Sequence, residues 1–467
     1  MKIHLSAICG TAMASLAGLL REQGHEVTGS DQDVYPPMST QLEALGIPIR
    51  SPFAEANVPQ DADLVVIGNA LSRGNPEVEA VLDRRQRYTS LPGLLAEEFL
   101  RPRTSLVVAG THGKTTTTSI LAFLLHQAGL DPSFLIGGVP VDFGRSYRLG
   151  AGPHFVIEGD EYDCAFFDKR PKFVHYLPNV AIIGNVEFDH ADIYPDLAAV
   201  QLAFVRLMNV VPRNGLLVAG TESPALLEIL PKSRCRVETF GLHEGADWRA
   251  TEVETGAAGA RFRLARHGRD EGEFALSMGG EHNVRNALAA LAAAAEAGVE
   301  PVAARAALGA FRGVKRRLEV CGEAGGVTVY DDFAHHPTAV AATLAALRAL
   351  GGKGRLVAVF EPRSFTAKTS AFQDGFARAF TGADRVVVAA AHLPGKVPEG
   401  QRLSEAGLVE GIRRGGGDAV FIPAVDEIVR ALVAELRPGD RVAILSNGGF
   451  GGIHAKLLRA LETTALR

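Results

Sequence analysis

The segment Ser105–Thr118 constrains the fold of this chain more than any other stretch of its sequence. Within it, the apolar and β-branched run Leu106–Ala109 predicts a buried strand, and Gly110 and Gly113 predict a turn. A helical pattern then begins at Lys114. Strand, glycine turn and helix in this order form a cradle for phosphate groups, because the N–H groups of the turn and the helix N-terminus attract anions. The alternative interpretation is a glycine-rich turn that precedes an ordinary helix.

Two side chains of this segment have the chemistry that a nucleotide site requires. The ammonium group of Lys114 can neutralise phosphate charge, and the hydroxyl of Thr115 can hold Mg²⁺. The general P-loop pattern asks for a glycine where this chain has Val108, so the prediction depends on the tighter form Gly-Thr-His-Gly-Lys-Thr-Thr. The sequence predicts a nucleoside triphosphate site formed by Gly110, Thr111, His112, Gly113, Lys114, Thr115 and Thr116.

Length and charge restrict the class of protein. The chain has 467 residues, which is enough for about three domains of roughly 150 residues, each with its own core. Its formal net charge of −5 gives no reason to expect nucleic acid or an anionic membrane as a partner.

The cysteines and the N-terminus favour a cytoplasmic location. Four cysteines are scattered without a CxxC pair, which indicates neither a zinc site nor a disulfide framework. The sequence from Met1 leads directly into a strand pattern, without the apolar region of a signal peptide. We therefore expect a reducing cytoplasm.

The first hundred residues open with a βαβ pattern, in which Ile3–Ile8 and Glu26–Gly29 are the predicted strands. Asp31 follows the second strand, about twenty positions after the glycine turn, where a ribose hydroxyl would be bound. The dinucleotide fingerprint needs three spaced glycines, and only Gly10 is present. The pattern favours a nucleotide-sugar diphosphate, contacted by Gly10, Thr11 and Asp31, over NAD or FAD.

A second polar turn follows the apolar strand that begins at Val65. Asn69, Ser72 and Asn75 lie in this turn, where they can recognise a base or a sugar or serve as plain turn residues. We retain Asn69 and Ser72 as candidate substrate contacts. The sequence Arg-Pro-Arg at 101–103 predicts the linker to the nucleotide-binding domain.

Polar residues follow two further strands of the predicted central sheet. The strand His154–Glu158 ends in an acidic cluster, and the strand Val180–Gly184 leads to His190. Because the carboxyl ends of neighbouring parallel strands meet at one edge of a sheet, we expect Thr115, Glu158 and His190 to hold Mg²⁺. For at least two of the acidic residues Asp160, Glu161 and Asp163, the sequence favours a solvated loop.

Five motifs in one order carry a resemblance to a known family. They are Gly-Thr-His-Gly-Lys-Thr-Thr at 110–116, Glu-x-Asp-Glu at 158–161, Asn-x-Glu-x-Asp-His at 185–190, Glu-His-Asn-Val-Arg-Asn at 281–286 and the ten residues from Val329 to Thr338. Over essentially its whole length the chain resembles the Mur ligase family. These enzymes use ATP to join an amino acid or a peptide to UDP-N-acetylmuramate during peptidoglycan assembly.

The resemblance implies an α/β fold of three domains. It places a Rossmann-like UDP-sugar domain at 1–100, a central P-loop ATPase domain at 101–312 and a Rossmann-like peptide-binding domain at 313–467. It assigns catalytic roles to Lys114, Glu158, His190 and Arg317, and it implies ATP and Mg²⁺ as cofactors.

The resemblance also implies further nucleotide contacts. Asn283 and Asn286 would contact adenine, although residue chemistry equally allows caps and core hydrogen bonds. Asp332 would bind ribose, and Arg316 or Arg317 would reach the γ-phosphate from the basic run Phe311–Glu319. Without the resemblance, this run would be interpreted as a solvated charge cluster.

Two branches of the family are nearest, one adding L-alanine and one reattaching a recycled tripeptide, L-alanyl-γ-D-glutamyl-meso-diaminopimelate. The segments Tyr35–Ser39, Ala165–Tyr176 and Ser446–His454 resemble the recycling branch. Several other branches carry a carbamylated lysine after the histidine motif, whereas this chain has no lysine between Lys172 and Lys232. The resemblance therefore implies that Glu158 and His190 hold the ion with water.

Loops after two predicted C-terminal strands, Leu356–Phe360 and Arg441–Leu445, are the expected peptide site. Arg363 is the best carboxylate clamp by its chemistry, and Ser446 and Asn447 lie in the second loop. We expect ligation of the tripeptide to UDP-N-acetylmuramate through an acyl phosphate, by a monomer or homodimer, in peptidoglycan recycling. The alternatives are the L-alanine ligase, a P-loop motor ATPase and a nucleotide-sugar oxidoreductase.

Overall fold

The computed structural model describes residues 1–32, 34, 38–393 and 397–465. Tyr35, Pro36 and Pro37, which belong to the segment that resembles the recycling branch, lie outside the described residues. Three α/β units follow one another along the chain, each built on its own sheet. None of the described helices is both long and apolar enough to cross a membrane.

The N-terminal sheet has five strands, all parallel. Its elements are β1 (Lys2–Ser6), α1 (Thr11–Glu22), β2 (Glu26–Ser30), α2 (Met38–Ala44), β3 (Ile49–Arg50), β4 (Leu64–Ile67), α3 (Pro76–Asp83), β5 (Tyr88–Ser90) and α4 (Leu91–Leu95), the last continued by a π-helical turn (Ala96–Leu100). The strand order is β3-β2-β1-β4-β5. Because β1 lies between β2 and β4, the loops after these three strands meet at one edge.

The central sheet has ten strands and carries the glycine turn. Its strands are β6 (Thr104–Ala109), β7 (Ser133–Leu135), β8 (Tyr147–Arg148), β9 (His154–Glu158), β12 (Pro178–Ile183), β13 (Leu216–Gly220), β14 (Arg236–Gly241), β15 (Trp248–Gly256), β16 (Gly259–Arg266) and β17 (Arg269–Leu276), with a separate hairpin of β10 (Asp163–Ala165) and β11 (Asp168–Pro171). The helices are α5 (Lys114–Gln127), α6 (Leu197–Val210), α7 (Pro224–Ile229), α8 (Glu281–Glu296) and α9 (Pro301–Ala310).

The order β17-β16-β15-β14-β13-β12-β6-β9-β7-β8 places β6 between β12 and β9, and all three strands are parallel. The glycine turn after β6 therefore lies between the segments that follow Glu158 and Ile183. The last three strands, β15, β16 and β17, pair antiparallel with one another at one edge of this sheet. Helices α5 and α8 share one core, where the alanines of α8 allow close packing.

The β10–β11 hairpin joins the central unit to the N-terminal one. Phe166 packs against the apolar cluster that contains Val65 and Leu71, and the ring of Phe167 lies 5.1 Å from that of Tyr88. The insertion between β9 and β12 thus contacts the domain proposed to bind the sugar nucleotide.

The C-terminal sheet has six strands. The elements of this unit are β18 (Glu319–Ala324), β19 (Val327–Asp332), α10 (Pro337–Ala349), β20 (Leu356–Phe360), α11 (Gln373–Ala379), β21 (Arg385–Val388), α12 (Glu405–Arg414), β22 (Ala419–Phe421), α13 (Val425–Glu435), β23 (Arg441–Leu445) and α14 (Ile453–Ala465). The order is β18-β19-β23-β20-β21-β22, and only β18 is antiparallel to its neighbour. The ends of β19, β23 and β20 are therefore adjacent.

The basic run between the central and C-terminal units is not a uniformly solvated cluster. Arg312 forms an ion pair of 2.7 Å with Asp142, and the N–H of Lys315 donates to the carbonyl of Val139 at 3.0 Å. These two contacts hold the basic run against residues 139–142, which precede β8.

Candidate active site

The glycine turn is held in a conformation that requires its glycines. Gly110 and Gly113 have φ of 136° and 80°, where residues with a Cβ are strained. The side chain of Asn185, after β12, accepts from the N–H of His112 at 2.8 Å, and its carbonyl accepts from the N–H of Thr111 at 3.0 Å. The predicted cradle is therefore formed and is braced by the neighbouring strand.

Lys114 is held inside this cradle by a carboxylate that the sequence analysis did not single out. Its Nζ donates to the carbonyl of Gly110 at 2.7 Å and to Glu161 at 2.8 Å. Burial alone would lower the pKa of Lys114, but Glu161 and nearby acids outweigh it and raise the pKa. Of the three acidic residues for at least two of which the sequence favoured a solvated loop, Glu161 is buried, with an exposed fraction of 2%.

Thr115 and Glu158 meet beside Lys114. The Thr115 hydroxyl donates to Glu158 at 3.1 Å, and the N–H of Gly137 donates to the other carboxylate oxygen at 2.8 Å. Burial raises the pKa of Glu158, so a nearby cation would favour its ionised form. The hydroxyl oxygen of Thr115, at the start of α5, and the carboxylate of Glu158, at the end of β9, lie next to the phosphate cradle. Both are hard oxygen ligands of the kind that Mg²⁺ prefers.

His190 pairs with Glu161 rather than with Glu158. Its Nε2 lies 3.0 Å from Glu161 Oε1, and its ring lies 4.3 Å from that of Tyr162. Burial would lower the pKa of His190, but Glu161 outweighs it and raises the pKa. His190 also has a positive φ of 53°, a strained conformation that is often retained at functional sites. The imidazole is thus fixed on the same carboxylate as Lys114.

A cavity of about 290 Å³ lies between the central and C-terminal units, beside this cluster. Predicted residues that line it are His112, Gly113, Lys114, Thr116, Asn283, Asn286, Arg317 and Asp332. Asn286 packs directly on the turn, where a Cβ at Gly113 would lie 2.3 Å from its Oδ1. Both asparagines also make internal hydrogen bonds, Asn286 with Thr117 and Asn283 with the carbonyl of Gly279.

The two neighbouring arginines of the linker face different ways. Arg317 lines the cavity, and its Nη2 lies 3.4 Å from the hydroxyl of Thr115. Arg316 is engaged elsewhere: it pairs with Asp331 at 3.0 Å and donates to the carbonyls of Ser446 and Gly448, both at 2.7 Å. The inclusion of Arg316 among the nucleotide contacts is therefore corrected, because its guanidinium is committed to the C-terminal loop.

Asp332 lines the cavity with a carboxylate that also organises its own domain. It accepts hydrogen bonds from the N–H of Leu318 at 2.8 Å, from the N–H of Ala334 at 2.9 Å and from the hydroxyl of Thr343 at 3.0 Å. Burial raises its pKa. Asp332 thus joins Leu318, at the end of the basic run, to Thr343 on α10.

Side chains across the interface hold the central and C-terminal units together. Glu187 accepts from the hydroxyl of Thr338 at 2.6 Å and lies 3.5 Å from Nε2 of His112. Asp189 accepts from the hydroxyl of Thr366, also at 2.6 Å. The sequence analysis missed the contacts of Thr338 and Thr366, because the partners are 151 and 177 residues apart and have no local signal.

The candidate sugar-nucleotide residues lie where three parallel strands of the first sheet end. Gly10 and Thr11 are exposed at the start of α1, and the N–H of Cys9 donates to Asp31 at 2.8 Å. Asn69 and Ser72 are exposed in the loop after β4. Asn75, by contrast, caps α3 by accepting from two N–H groups, so its role there is turn chemistry.

The candidate peptide residues gather at the adjacent ends of β20 and β23. The hydroxyl of Ser446 donates to Glu361 at 2.5 Å, and Arg363 Nη1 lies 3.8 Å from the same carboxylate. Arg363 packs flat on the second loop, since a Cβ at Gly448 would lie 2.0 Å from its Nε. Asn447 Oδ1 is buried and has no hydrogen-bond partner among the described residues. Arg363, Ser446 and Asn447 are thus brought to one place.

A phosphate cradle covered by a second α/β domain, with acidic and imidazole side chains beside it, is typical of an ATP-using enzyme. Comparison with known proteins narrows the class. The Mur ligase family catalytic domain matches residues 2–101, the Mur ligase middle domain residues 108–294 and the glutamate ligase domain residues 316–448. The chain belongs to the Mur ligase family, whose members are ATP-dependent ligases that form amide bonds.

Individual relatives cover the whole chain. It is 48% identical over 467 residues to the UDP-N-acetylmuramate–L-alanyl-γ-D-glutamyl-meso-2,6-diaminoheptandioate ligase of Escherichia coli, covering 100% of this chain and 99% of the relative. It is 37% identical to the UDP-N-acetylmuramate–L-alanine ligase of Anaeromyxobacter dehalogenans, covering 99% and 98%. The crystal structure of a murein peptide ligase from Psychrobacter arcticus matches with a TM-score of 0.74 at 41% identity, covering 99% of both chains.

Proposed function

We propose that this chain joins the tripeptide L-alanyl-γ-D-glutamyl-meso-diaminopimelate to UDP-N-acetylmuramate, using ATP. The observation that carries the proposal is the 48% identity, along the full length, with a ligase named for that tripeptide. The identity to an L-alanine ligase, the alternative assignment, is 37% over a similar length. ATP and a nucleotide sugar as substrates are consistent with a cytoplasmic enzyme.

The C-terminal loops support a large acidic acceptor. A tripeptide has several carboxylates, and a planar guanidinium can bind a carboxylate with two hydrogen bonds. Arg363 is held on Gly448 in a partly exposed position, with 30% of its side chain accessible. Asn447 adds a buried amide oxygen that has no hydrogen-bond partner in the described part of the chain and can accept from a substrate N–H.

The proposed reaction begins with transfer of the γ-phosphoryl group to the lactyl carboxylate of the sugar. Oxide is a poor leaving group, whereas an acyl phosphate can be attacked by the peptide α-amine with loss of phosphate. Two anions must approach each other in the first step, so positive groups have to neutralise them. Lys114, in the glycine turn, and Arg317, whose Nη2 lies 3.4 Å from the Thr115 hydroxyl, have the charge and position for this role.

Thr115, Glu158 and His190 are the residues that would hold Mg²⁺. The ion would supply charge neutralisation at the phosphates. Glu161 holds the Lys114 ammonium and the His190 ring in fixed positions, so that little reorganisation is needed.

The remaining site residues are assigned by position. We propose that Asn283 and Asn286 contact adenine, that Asp332 contacts ribose, and that Gly110 to Thr116 surround the phosphates. Gly10, Thr11, Asp31, Asn69 and Ser72 would contact the UDP-sugar. The domains proposed for these roles span residues 1–100, 101–312 and 313–467.

Phosphate release measured with UDP-N-acetylmuramate and ATP tests the proposal. We expect at least a hundredfold preference in kcat/KM for the tripeptide over L-alanine, about 2.7 kcal/mol of discrimination. Efficient use of L-alanine with the tripeptide ignored would assign the chain to the other branch. Phosphate release that needs no UDP-sugar would instead favour a motor ATPase.

A further inference from the structure

A cluster of three potential metal ligands lies behind the peptide loop, on the C-terminal sheet. Cys321 is on the edge strand β18, Asp331 is near the end of β19, and His454 is in the first turn of α14. One ligand atom from each lies within 4.8 Å of the other two. Sequence spacing does not reveal this cluster, because its members come from separate segments.

Two of these ligand atoms are buried without a hydrogen-bond partner. His454 Nε2 lies 3.2 Å from Asp331 Oδ1, yet within the described part of the chain neither atom makes a hydrogen bond of acceptable geometry. Asp331 as a residue is only 7% exposed. Its other oxygen, Oδ2, is the one that pairs with Arg316. A buried imidazole nitrogen and a buried carboxylate oxygen therefore face each other as an ion pair without a well-directed hydrogen bond. A cation bound by both would satisfy them.

The backbone turns the sulfur toward this pair. Val320 is paired with Tyr330 and Gly322 with Val329, so Cys321 is the extra residue of a β-bulge. Bulges on edge strands commonly re-aim a side chain. Cys321 is exposed and free, so its side chain has room to move toward the other two ligands.

We propose that Cys321, Asp331 and His454 form a binding site for Zn²⁺ or a similar borderline ion. A sulfur, a nitrogen and an oxygen ligand match the preferences of Zn²⁺, with water in the fourth position. Zn²⁺ binds sulfur at about 2.3 Å and nitrogen or oxygen at about 2.0–2.2 Å. The three ligand atoms must therefore close by roughly one ångström, which the surface position of Cys321 allows. The thiol proton is released on binding.

The site has a defined relation to the peptide loop. His454 follows the glycine-rich segment 448–452 directly, and Asp331 is the carboxylate that holds Arg316, which in turn binds the carbonyls of Ser446 and Gly448. A bound ion ties the far end of this loop to the edge of the sheet.

A second thiol cluster offers less for a metal. Cys164, Asp168 and His175 are also close together in the β10–β11 insertion. There, however, the Cys164 thiol donates to the carbonyl of Arg170, and Arg170 clamps Asp168 through two nitrogens at 3.0 and 2.7 Å. Two of its three ligands are already satisfied.

The test uses the full-length protein, freed of metal by chelation and then supplied with excess Mg²⁺. One equivalent of Co²⁺ should give a thiolate-to-cobalt charge-transfer band in the near ultraviolet. Oxygen and imidazole ligands at the nucleotide site cannot produce this band. Cys321→Ser should abolish it, whereas the matched variants Cys164→Ser and Cys235→Ser should retain it. His454→Gln should weaken Zn²⁺ binding by at least about tenfold.

Alkylation provides an independent measure. One equivalent of Zn²⁺ should slow the alkylation of Cys321 by iodoacetamide and leave the alkylation of Cys9 unchanged. Mass spectrometry of the two cysteine-containing peptides measures both rates. A cobalt band that survives Cys321→Ser, or an alkylation rate of Cys321 that is indifferent to Zn²⁺, overturns the proposal.

Discussion

The Nε2 atom of His190 lies 3.0 Å from Oε1 of Glu161, at a point where both side chains are largely buried. The other oxygen of Glu161 lies 2.8 Å from Lys114 Nζ. One carboxylate therefore positions two groups that we assign to phosphate transfer, one on the P-loop and one after β12. Its burial strengthens both contacts, since charges interact more strongly away from water.

Replacing this carboxylate should impair catalysis without removing a substrate contact. We expect Glu161→Gln to lower kcat by about 10–100-fold, because Lys114 and His190 lose their common anchor. Binding of UDP-N-acetylmuramate, measured by calorimetry, should stay unchanged. Asp163→Asn is the control, since Asp163 pairs only with the exposed Lys169 among the ion pairs seen here. Equal turnover in the two variants would show that Glu161 merely fills space.

Removal of the P-loop ammonium should have a larger effect. Lys114→Ala should leave the protein folded and lower turnover by about 10²–10³-fold, the usual cost of one electrostatic contact to the transferring group. Circular dichroism and the phosphate-release assay separate folding from activity. Lys169→Ala, a change at a side chain that is 68% exposed, should be close to the parent. Turnover of Lys114→Ala within a few-fold of the parent would remove Lys114 from the mechanism.

The third prediction concerns the divalent ion. If His190 and Glu158 hold Mg²⁺ without a carbamylated lysine, added bicarbonate should leave activity unchanged. His190→Ala should raise the Mg²⁺ concentration for half-maximal activity by at least about tenfold, while UDP-sugar binding persists. His243→Ala, at an exposed position, is the control. An unaltered Mg²⁺ titration would show that His190 is structural.

Strand adjacency accounts for what the sequence predicted well. The strands around the phosphate turn were recognisable from their apolar runs, and parallel neighbours had to bring Thr115 and Glu158 to one edge. Glu161 could not be recognised, because the three acidic residues within the four positions 160–163 look alike until the chain path buries one of them. Likewise, Arg316 and Arg317 are identical in type, and only the local geometry, with φ of 62° at Arg316, directs one to the loop and the other to the cavity.

A buried carboxylate in the N-terminal unit predicts a pH dependence of stability. Glu77 on α3 is 0% exposed and accepts hydrogen bonds from Ser6, Ser30 and Asn57. Burial alone would raise the pKa of Glu77, but the imidazole of His4, 3.9 Å away, and the hydrogen bonds from these three side chains lower it to about 2. Because the pKa is depressed in the folded state, the stabilisation is present above the unfolded pKa, near 4.5, and is lost as pH falls toward 2.

Glu77→Gln should therefore destabilise the full-length protein by about 2–3 kcal/mol at neutral pH and by progressively less below pH 4.5. Urea unfolding at several pH values measures the difference. Glu79→Gln is the matched control, since the pKa of Glu79 is also lowered to about 2, chiefly by the hydrogen bond from Arg73. Its pair is exposed to solvent and screened, so little change is expected. A pH-independent difference for Glu77→Gln would contradict the ionised state of this carboxyl.

The last prediction tests Arg363 as the carboxylate clamp for the tripeptide, by two different substitutions at one contact. Arg363 lies flat on Gly448, whose φ is not in the left-handed region, so an alanine there strains no backbone and acts through its Cβ alone. That Cβ would lie 2.0 Å from Arg363 Nε and would force the guanidinium away. Arg363→Ala and Gly448→Ala should both raise KM for the tripeptide by at least about tenfold, the loss expected for one charged hydrogen-bonding contact. ATP and UDP-sugar binding should be unchanged in both.

Gly449→Ala is the control, because a Cβ there meets nothing within 4 Å. If Arg363→Ala leaves the KM for the tripeptide at the parental value, Arg363 is not the carboxylate clamp, whatever Gly448→Ala does.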